Sequence, residues 1–481
     1  MSVETAVLAD GRRIPYLTDK RMEGGMKYVY FTQDRQSVVC FFKDQGAACD
    51  PNRRARLEAI LNDYNPTTDR VTGPDFLELF CWPTGVIVQP HLGVMTPAYS
   101  SGYFFDDGRF KGKEKTGKWF SSPKLRSMLE PAQRGTWLSY IQLCILMARA
   151  VRKMHLTGLA HSDLSCNNVL IDPERGCCAV IDIDSLVVEG KFAPDVLGTP
   201  GYIAPEVVAT QRLHPRDPNR KLPSKFTDLY ALPVLIYEYL LKRHPLRGPK
   251  VNSTASAEED DRLSMGEKAL FIEHPTDRSN RPRTLKVQCD ALGPSTGPGA
   301  RLYLPGLFQR AFVDGLHKPS ARPNANDWEI ALCRTTDLLI PCGNPACEER
   351  WFVYVEGRPV KCSFCGWKQK QKIPVLEFHR AWRPGQFRSE GHCLVGWNQR
   401  PLNSWHVLSN VQPVEGVEKN TMAYIALHQG QWILVNKELD SLMSPSGSPV
   451  PRGQACPLRD GDELLLSRSD KGRLVSVKMI P

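Results

Sequence analysis

Short runs of alternating apolar and polar positions fill the first hundred residues, and helical spacing takes over after them. Residues 27–32 and 37–42 are rich in β-branched and aromatic types with Asp34-Arg35 between them, which predicts a β-hairpin. Over 52–64, Leu57, Ile60, Leu61 and Tyr64 recur on one face at helical spacing. Residues 86–89 and 93–96 predict a second strand pair, and 102–131, polar, basic and rich in Gly and Lys, a long loop or insertion. An amphipathic helix is expected over 137–155, with Ile141, Cys144, Ile145, Ala148, Val151 and Met154 in one stripe. A strand pair at 168–171 and 179–183 follows, then a helix at 228–241 that is apolar nearly all round and therefore buried. The stretch 249–305 reads as loops with one short helix near 266–271, and 307–316 and 326–337 are again helical. After Ile340 come clustered cysteines and then short strands, among them 422–427, 431–435, 463–466 and 473–477. The pattern is a β-rich start, an α-rich middle and an all-β end, without internal repeats.

Composition narrows this only a little. At roughly 100–200 residues per domain, 481 residues imply two to four domains. An apolar content of 41% with 36 Gly excludes disorder and collagen. No window approaches the ~20 apolar residues of a membrane span, and the first residues lack the order of a secretory leader. A cytoplasmic protein is expected. The net charge of +10 suits anionic partners such as nucleotide phosphates without resembling a polybasic tail. Most of the 15 Cys read as small buried hydrophobes.

The chemistry concentrates at His161-Ser162-Asp163-Leu164-Ser165-Cys166-Asn167-Asn168, between the long helix and a strand. An Asp with an Asn five positions on, held in a loop, can orient a hydroxyl nucleophile and hold a metal. Asp182, at the end of the next apolar strand, is a second carboxylate able to bind Mg²⁺ bridging nucleotide phosphates. These residues resemble the protein-kinase family, and the match extends over about 22–337. The resemblance implies Asp163 as catalytic base and Asn168 as metal ligand, with Asp182-Ile183-Asp184 as the metal-binding triplet. It places Gly198-Thr199-Pro200-Gly201-Tyr202-Ile203-Ala204-Pro205-Glu206 at the end of the activation segment, with Thr199 against the catalytic Asp. It also implies that Asp228 braces the catalytic loop and that Arg322 pairs with Glu206. Lys43 falls where the kinase strand Lys contacts phosphates, Glu58 is its ion-pair candidate, and Gly24-Gly25 form the phosphate loop.

Three positions depart from the family pattern: Ser162 for the Arg before the catalytic Asp, Ser165 for a Lys, and Asp184 for a Gly. Without that Arg, loop phosphorylation is not expected to be required for activity. Together with Gly117-Lys118-Trp119-Phe120 and the run from Glu267 to Pro282, the motifs resemble bacterial kinases of the tellurite-resistance-associated phosphorylation triad. That resemblance implies Ser/Thr protein substrates, ATP and Mg²⁺, and as partners a metal-dependent phosphatase of the 2C type and a von Willebrand A-domain protein. A catalytically weak nucleotide-binding pseudokinase scaffold is the alternative.

Cys342 and Cys347, then Cys362 and Cys365, form two clustered pairs with the spacing of a zinc ribbon, and four thiolates imply a structural Zn²⁺. Unrelated core thiols are the alternative. From 350 to 388, nine Lys/Arg face two Glu with aromatics interleaved, a composition shared by nucleic-acid surfaces and by ordinary solvated faces, and the latter is expected. Leu434-Val435-Asn436 and the run 457–466 resemble the second half of a forkhead-associated sandwich, although that family's phosphothreonine-reading residues are absent in order. The expected fold class is α+β: a lead strand (1–20), a two-lobed kinase domain (21–338, small lobe to about 99, insertion 102–131, large lobe 132–338), a zinc ribbon (339–374) and a β-sandwich interaction module (375–481).

Overall fold

The computed structural model describes residues 2–19, 21–44, 51–188, 191–192, 196–295, 300, 303–383 and 385–481, the side chain of Glu418 excepted. Part of the activation segment, 189–190 and 193–195, lies outside the described residues. The chain starts with two strands, β1 (Val3–Leu8) and β2 (Arg13–Leu17), where a single lead strand was expected. Polar residues with Gly11 at φ +86° reverse the chain between them. With β3 (Met22–Glu23), β4 (Lys27–Phe31), β5 (Ser37–Phe42), β6 (Gly85–Gln89) and β7 (Gly93–Pro97) they form one seven-stranded sheet, order β2-β1-β6-β7-β5-β4-β3.

The two-residue period of a strand divides this sheet into two faces. Val38, Cys40 and Phe42 join Val86, Val94 and Leu57, the last from helix α1 (Pro51–Leu61). Val39 and Phe41 pack instead with Ala6, Leu8 and Tyr16 of the opening strands. This parity decides which lysine reaches the cleft.

Helix α2 (Gly73–Leu79) leads into β6, and the stretch 102–131, expected as a long loop or insertion, is a packed unit. It contains α3 (Lys118–Ser121) and α4 (Pro123–Ser127), and buries Phe105, Phe110, Phe120 and Leu129 in the large-lobe core. Its buried apolar residues, three Phe and one Leu, are irregularly spaced, so no helical or strand period exposes them in the sequence. The segment lies along the loop at 161–168: Gly117 N–H donates to Val169 O (2.8 Å) and Lys118 N–H to Cys166 O (3.1 Å). A Cβ at Gly117 would stand 1.9 Å from Tyr239 Oη, so no larger residue fits.

Helices α5 (Trp137–Leu156) and α7 (Lys225–Leu241) form the centre of the large lobe. Between them run β8 (Leu159–Ala160), β9 (Val169–Asp172), β10 (Cys177–Val180), β11 (Val187–Val188) and α6 (Pro205–Thr210). The helix expected at 266–271 lies instead at α8 (Ala257–Met265), capped by Ser256 Oγ and opened by three acids before Gly266 ends it. Then come α9 (Leu304–Gln309) and α10 (Ala325–Asp337), whose Glu329 takes Arg149 and Arg152 of α5 at 2.8 and 2.7 Å.

Arg322 is fully buried and clamps Glu206 with two bonds of 2.8 and 2.7 Å. Removing one member of such a pair strands the other, at a cost of about 3–5 kcal/mol. Arg322→Ala should therefore lose stability on that scale in urea unfolding. A loss below about 1 kcal/mol would mean that water solvates the pair.

Strand β12 (Leu339–Pro341) follows α10 after one residue and pairs with β13 (Trp351–Val353), and the two act as a shared wall. Leu339 and Val353 belong to the large-lobe core, while Ile340 and Phe352 belong to the core beyond it. That second core is closed by two four-stranded antiparallel sheets. One is β15-β14-β21-β20 (Gln386–Val395, Ile373–Arg383, Arg473–Ile480, Glu463–Leu465). The other is β16-β17-β18-β19 (Arg400–Asn403, Thr421–His428, Gln431–Asn436, Ala455–Pro457), with helix α11 (Ser404–Val407) beside it. No helix among the described residues is long and apolar enough to cross a membrane.

Candidate active site

The loop after β8 is fixed from below by a buried carboxylate. Asp228 Oδ2, on α7, accepts the His161 backbone N–H at 2.8 Å and contacts His155 Nε2 at 2.9 Å. The His161 ring meets Ile181 O at 2.9 Å and so ties this loop to the chain just before Asp182. Ser162 sits at φ +65°, and its hydroxyl donates to Ser185 O at 3.1 Å. An Arg side chain's charge is absent there, and the hydroxyl serves as a backbone tie instead. Asn168 Nδ2 donates to Asp163 O (2.8 Å) and to Asp163 Oδ2 (2.9 Å). Asp163 Oδ1 accepts the Thr199 hydroxyl at 2.7 Å. Asp163, Asn168 and Thr199 are thus brought together at the mouth of the cleft.

Asp182 is left-handed at φ +60°, and its side chain is still 47% exposed. The lysine that meets it is Lys27. Its Nζ donates to Asp182 Oδ1 at 3.0 Å and to Asp184 Oδ1 at 2.6 Å. Burial alone would depress the Lys27 ammonium, but Asp184 and then Asp182 outweigh it and hold the pKa well above its ordinary value. Burial likewise pushes the Asp182 carboxyl up, and Lys27, with a smaller contribution from His161, brings it below the usual range. No bond to Asp182 Oδ2 is seen among the described residues, so that oxygen is open to a metal.

Lys43 is not brought to this point. It follows Phe42 and takes the face of Val39 and Phe41, away from the cleft. Its Nζ lies 2.5 Å from Glu23 Oε1 and over the Tyr28 ring. Lys27 stands directly across from Phe42 on β4, and its ammonium lies over the Phe42 ring on the cleft side. The expected Lys43–Glu58 pair is not formed among the described residues; Glu58 bonds Arg54 on its own helix at 2.8 Å. Gly24 and Gly25 make the turn into β4, with Gly24 N–H donating to Lys27 O at 2.9 Å, and a Cβ at Gly25 would meet nothing within 4 Å. The Gly24 N–H is thus already committed, while the space at Gly25 is clear.

A family model described as "Protein kinase domain" matches residues 127–301, which take in Asp163, Asn168, Asp182, Glu206 and Asp228. Over these residues the chain is similar to the protein kinase domain. A dual serine/threonine and tyrosine protein kinase from Apis mellifera is 31% identical over 74 residues, 15% of this chain and 8% of that protein. The probable serine/threonine-protein kinase RTK1 from Saccharomyces cerevisiae is 27% identical over 146 residues, 29% of this chain and 19% of that protein. The chain therefore spans less than a fifth of the length of these curated relatives. A solved structure, the Toxoplasma gondii specific rhoptry antigen kinase domain, covers 55% of this chain and 78% of its own at 13% identity, with a TM-score of 0.36.

Beyond the kinase domain, the structure gathers the four predicted cysteines. Cys342 and Cys365 Sγ are 3.5 Å apart, Cys347 and Cys362 Sγ 3.9 Å, and all four lie within 4.8 Å of one another. A tetrahedral zinc with Zn–S bonds of about 2.3 Å needs sulfurs about 3.8 Å apart. The donor set fits that ion. Gly366, at φ +80°, makes the turn behind Cys365. The basic, aromatic residues of 350–388 divide between this knuckle and the β14–β15 hairpin, where Trp382 is exposed beside Arg388.

A second cluster lies at the junction of α10 with the C-terminal strands. Asp337, at the end of α10, binds His392 (2.9 Å), His406 (3.1 Å) and Arg400 (2.6 Å), all from the C-terminal strands and α11. Burial depresses His392 to about 4, so it is held neutral. Arg400 already supplies the positive charge on Asp337, so the cluster is a structural hub and not a cation site. Its members lie far apart in sequence, and nothing in their spacing joins them.

Proposed function

We propose that the kinase domain transfers the γ-phosphoryl group of ATP to Ser or Thr hydroxyls of protein substrates. The observation that carries this is the Thr199 hydroxyl donating to Asp163 Oδ1 at 2.7 Å, because an alcohol already stands on the carboxylate that would receive a substrate alcohol. ATP would lie between the lobes near β7, its phosphates on the Gly24–Gly25 turn and Lys27. Asn168 and Asp182 would hold Mg²⁺, which supplies charge neutralisation at the phosphates. Asp163 orients the attacking hydroxyl and takes its proton, and Asn168 keeps Asp163 in place through its two bonds. Cys342, Cys347, Cys362 and Cys365 would hold a structural Zn²⁺.

The test is labelled phosphate transfer from ATP to the chain itself or to a generic Ser/Thr protein acceptor. Asp163→Asn should lower the rate on the order of 10³-fold while nucleotide binding stays intact. Nucleotide binding without any transfer by the natural chain would establish the second reading, a non-catalytic scaffold. One feature favours that reading: Lys27 bridges both carboxylates of the metal triplet. The likeness to the tellurite-resistance triad extends the proposal to a cytoplasmic bacterial kinase. Its partners would be a phosphatase of the 2C type and a von Willebrand A-domain protein, and the C-terminal sandwich would serve as an interaction module.

A further inference from the structure

A cavity of about 330 Å³ opens where the large lobe, the 102–131 unit and the four-cysteine knuckle meet. One wall is apolar, from Leu240 and Leu241 at the end of α7, Leu285, Val287 and Phe364. The polar wall is out of balance. Five cations line it, Arg126, Arg134, Lys242, Arg243 and Lys286, against the two acids Glu348 and Glu349. Arg126 is tied to Glu349 (2.9 Å), Arg134 to Glu348 (2.8 Å), and Arg243 to Glu273 (2.8 Å). Lys242 has no such partner: its buried Nζ makes no hydrogen bond and lies 3.4 Å from the centre of the Tyr140 ring.

Arg126 Nη2 and Arg243 Nε are also buried without an acceptor, against one unpaired acceptor, Glu349 Oε2. Buried donors in native proteins nearly always have a partner, and those that do not mark a place for a missing one. A partner that accepts hydrogen bonds would satisfy these donors, and one with negative charge would also balance the excess of cations on this wall. Burial pulls the Lys242 ammonium down to about 7, although the nearby Glu349 carboxylate opposes the shift.

We infer that this cavity binds a small organic anion, its carboxylate or phosphate head on Lys242 and Arg126 and its apolar body against Leu285 and Phe364. No residue of the 161–168 loop lines this cavity, so its occupancy does not depend on how the cleft is used. Calorimetric titration of the full chain, with excess Mg·AMP-PNP present, would compare phenyl phosphate, 3-phenylpropionate and inorganic phosphate. One aromatic anion should bind at least about tenfold more tightly than inorganic phosphate, and which of the two binds distinguishes the head groups. Lys242→Met should weaken that binding about tenfold or more, and Leu285→Trp, which fills the half-buried wall, should abolish it. Absence of binding by both aromatic anions, or unchanged binding in both variants, overturns the inference. Should Lys242→Met fail to fold, Leu285→Trp decides alone. A failure of AMP-PNP to bind would count against the cleft reading and leave this one standing.

Discussion

Lys27→Met should abolish most phosphoryl transfer, on the order of 10²-fold or more, while Lys43→Met should stay within about threefold of the natural chain. The asymmetry comes from strand parity. Lys27 is held in the cleft by Asp182 and Asp184, whereas Lys43 points to the other face of the sheet and onto Glu23. Removing Lys27 deletes the one ammonium that contacts the metal triplet among the described residues, and leaves two carboxylates facing each other without it. Losing the exposed Glu23 pair costs little in water. Initial rates with labelled ATP, together with nucleotide affinity, check both variants. Equal losses in the two, or a larger loss in Lys43→Met, would return the phosphate role to Lys43.

Removal of zinc should be the most damaging change to stability. Elemental analysis is expected to find one zinc per chain, bound by Cys342, Cys347, Cys362 and Cys365. The double variant Cys362→Ser/Cys365→Ser should lose the metal, and with it a contribution on the order of 10 kcal/mol. The damage should not stay local. Cys342, Cys347 and Cys362 belong to the same core as Phe378, Leu434 and Val475 of the two C-terminal sheets. Unfolding followed by tryptophan fluorescence should show those sheets melting early in the variant. Zinc absent from the natural chain, or fully kept by the variant, would sink the assignment.

Much of the large lobe was readable because its signals are local. The run from His161 to Asn168, the strand ending before Asp182 and the apolar helix carrying Asp228 each announce themselves within about a dozen residues. Arg322 and Glu206 could be paired only through the family likeness, and the structure joins them with two short bonds. The small lobe misled for a physical reason: Lys43 closes an apolar strand, as a phosphate-binding lysine would. Counting the two-residue period back from it places it with Val39 and Phe41, and the partner register then offers Lys27 opposite Phe42. That register is a non-local fact. Lysines and glycines hide the four buried apolar anchors of the 102–131 unit, so its sequence is that of a long loop or insertion, and the Asp337 hub has no sequence signature at all.

The Asp337 hub and the shared wall of β12 and β13 bear on how a signal could pass between the two halves of the chain. A reader domain on a flexible tether acts by raising the local concentration of what it holds, and the gain is set by tether length. Here a single residue separates α10 from β12, and a buried carboxylate on that helix grips His392, His406 and Arg400 of the module beyond. There is no tether whose reach could be tuned. Whatever binds the C-terminal sheets can influence the catalytic loop only by favouring one arrangement of a continuous solid over another, with β12, β13 and α10 as the parts that would have to shift.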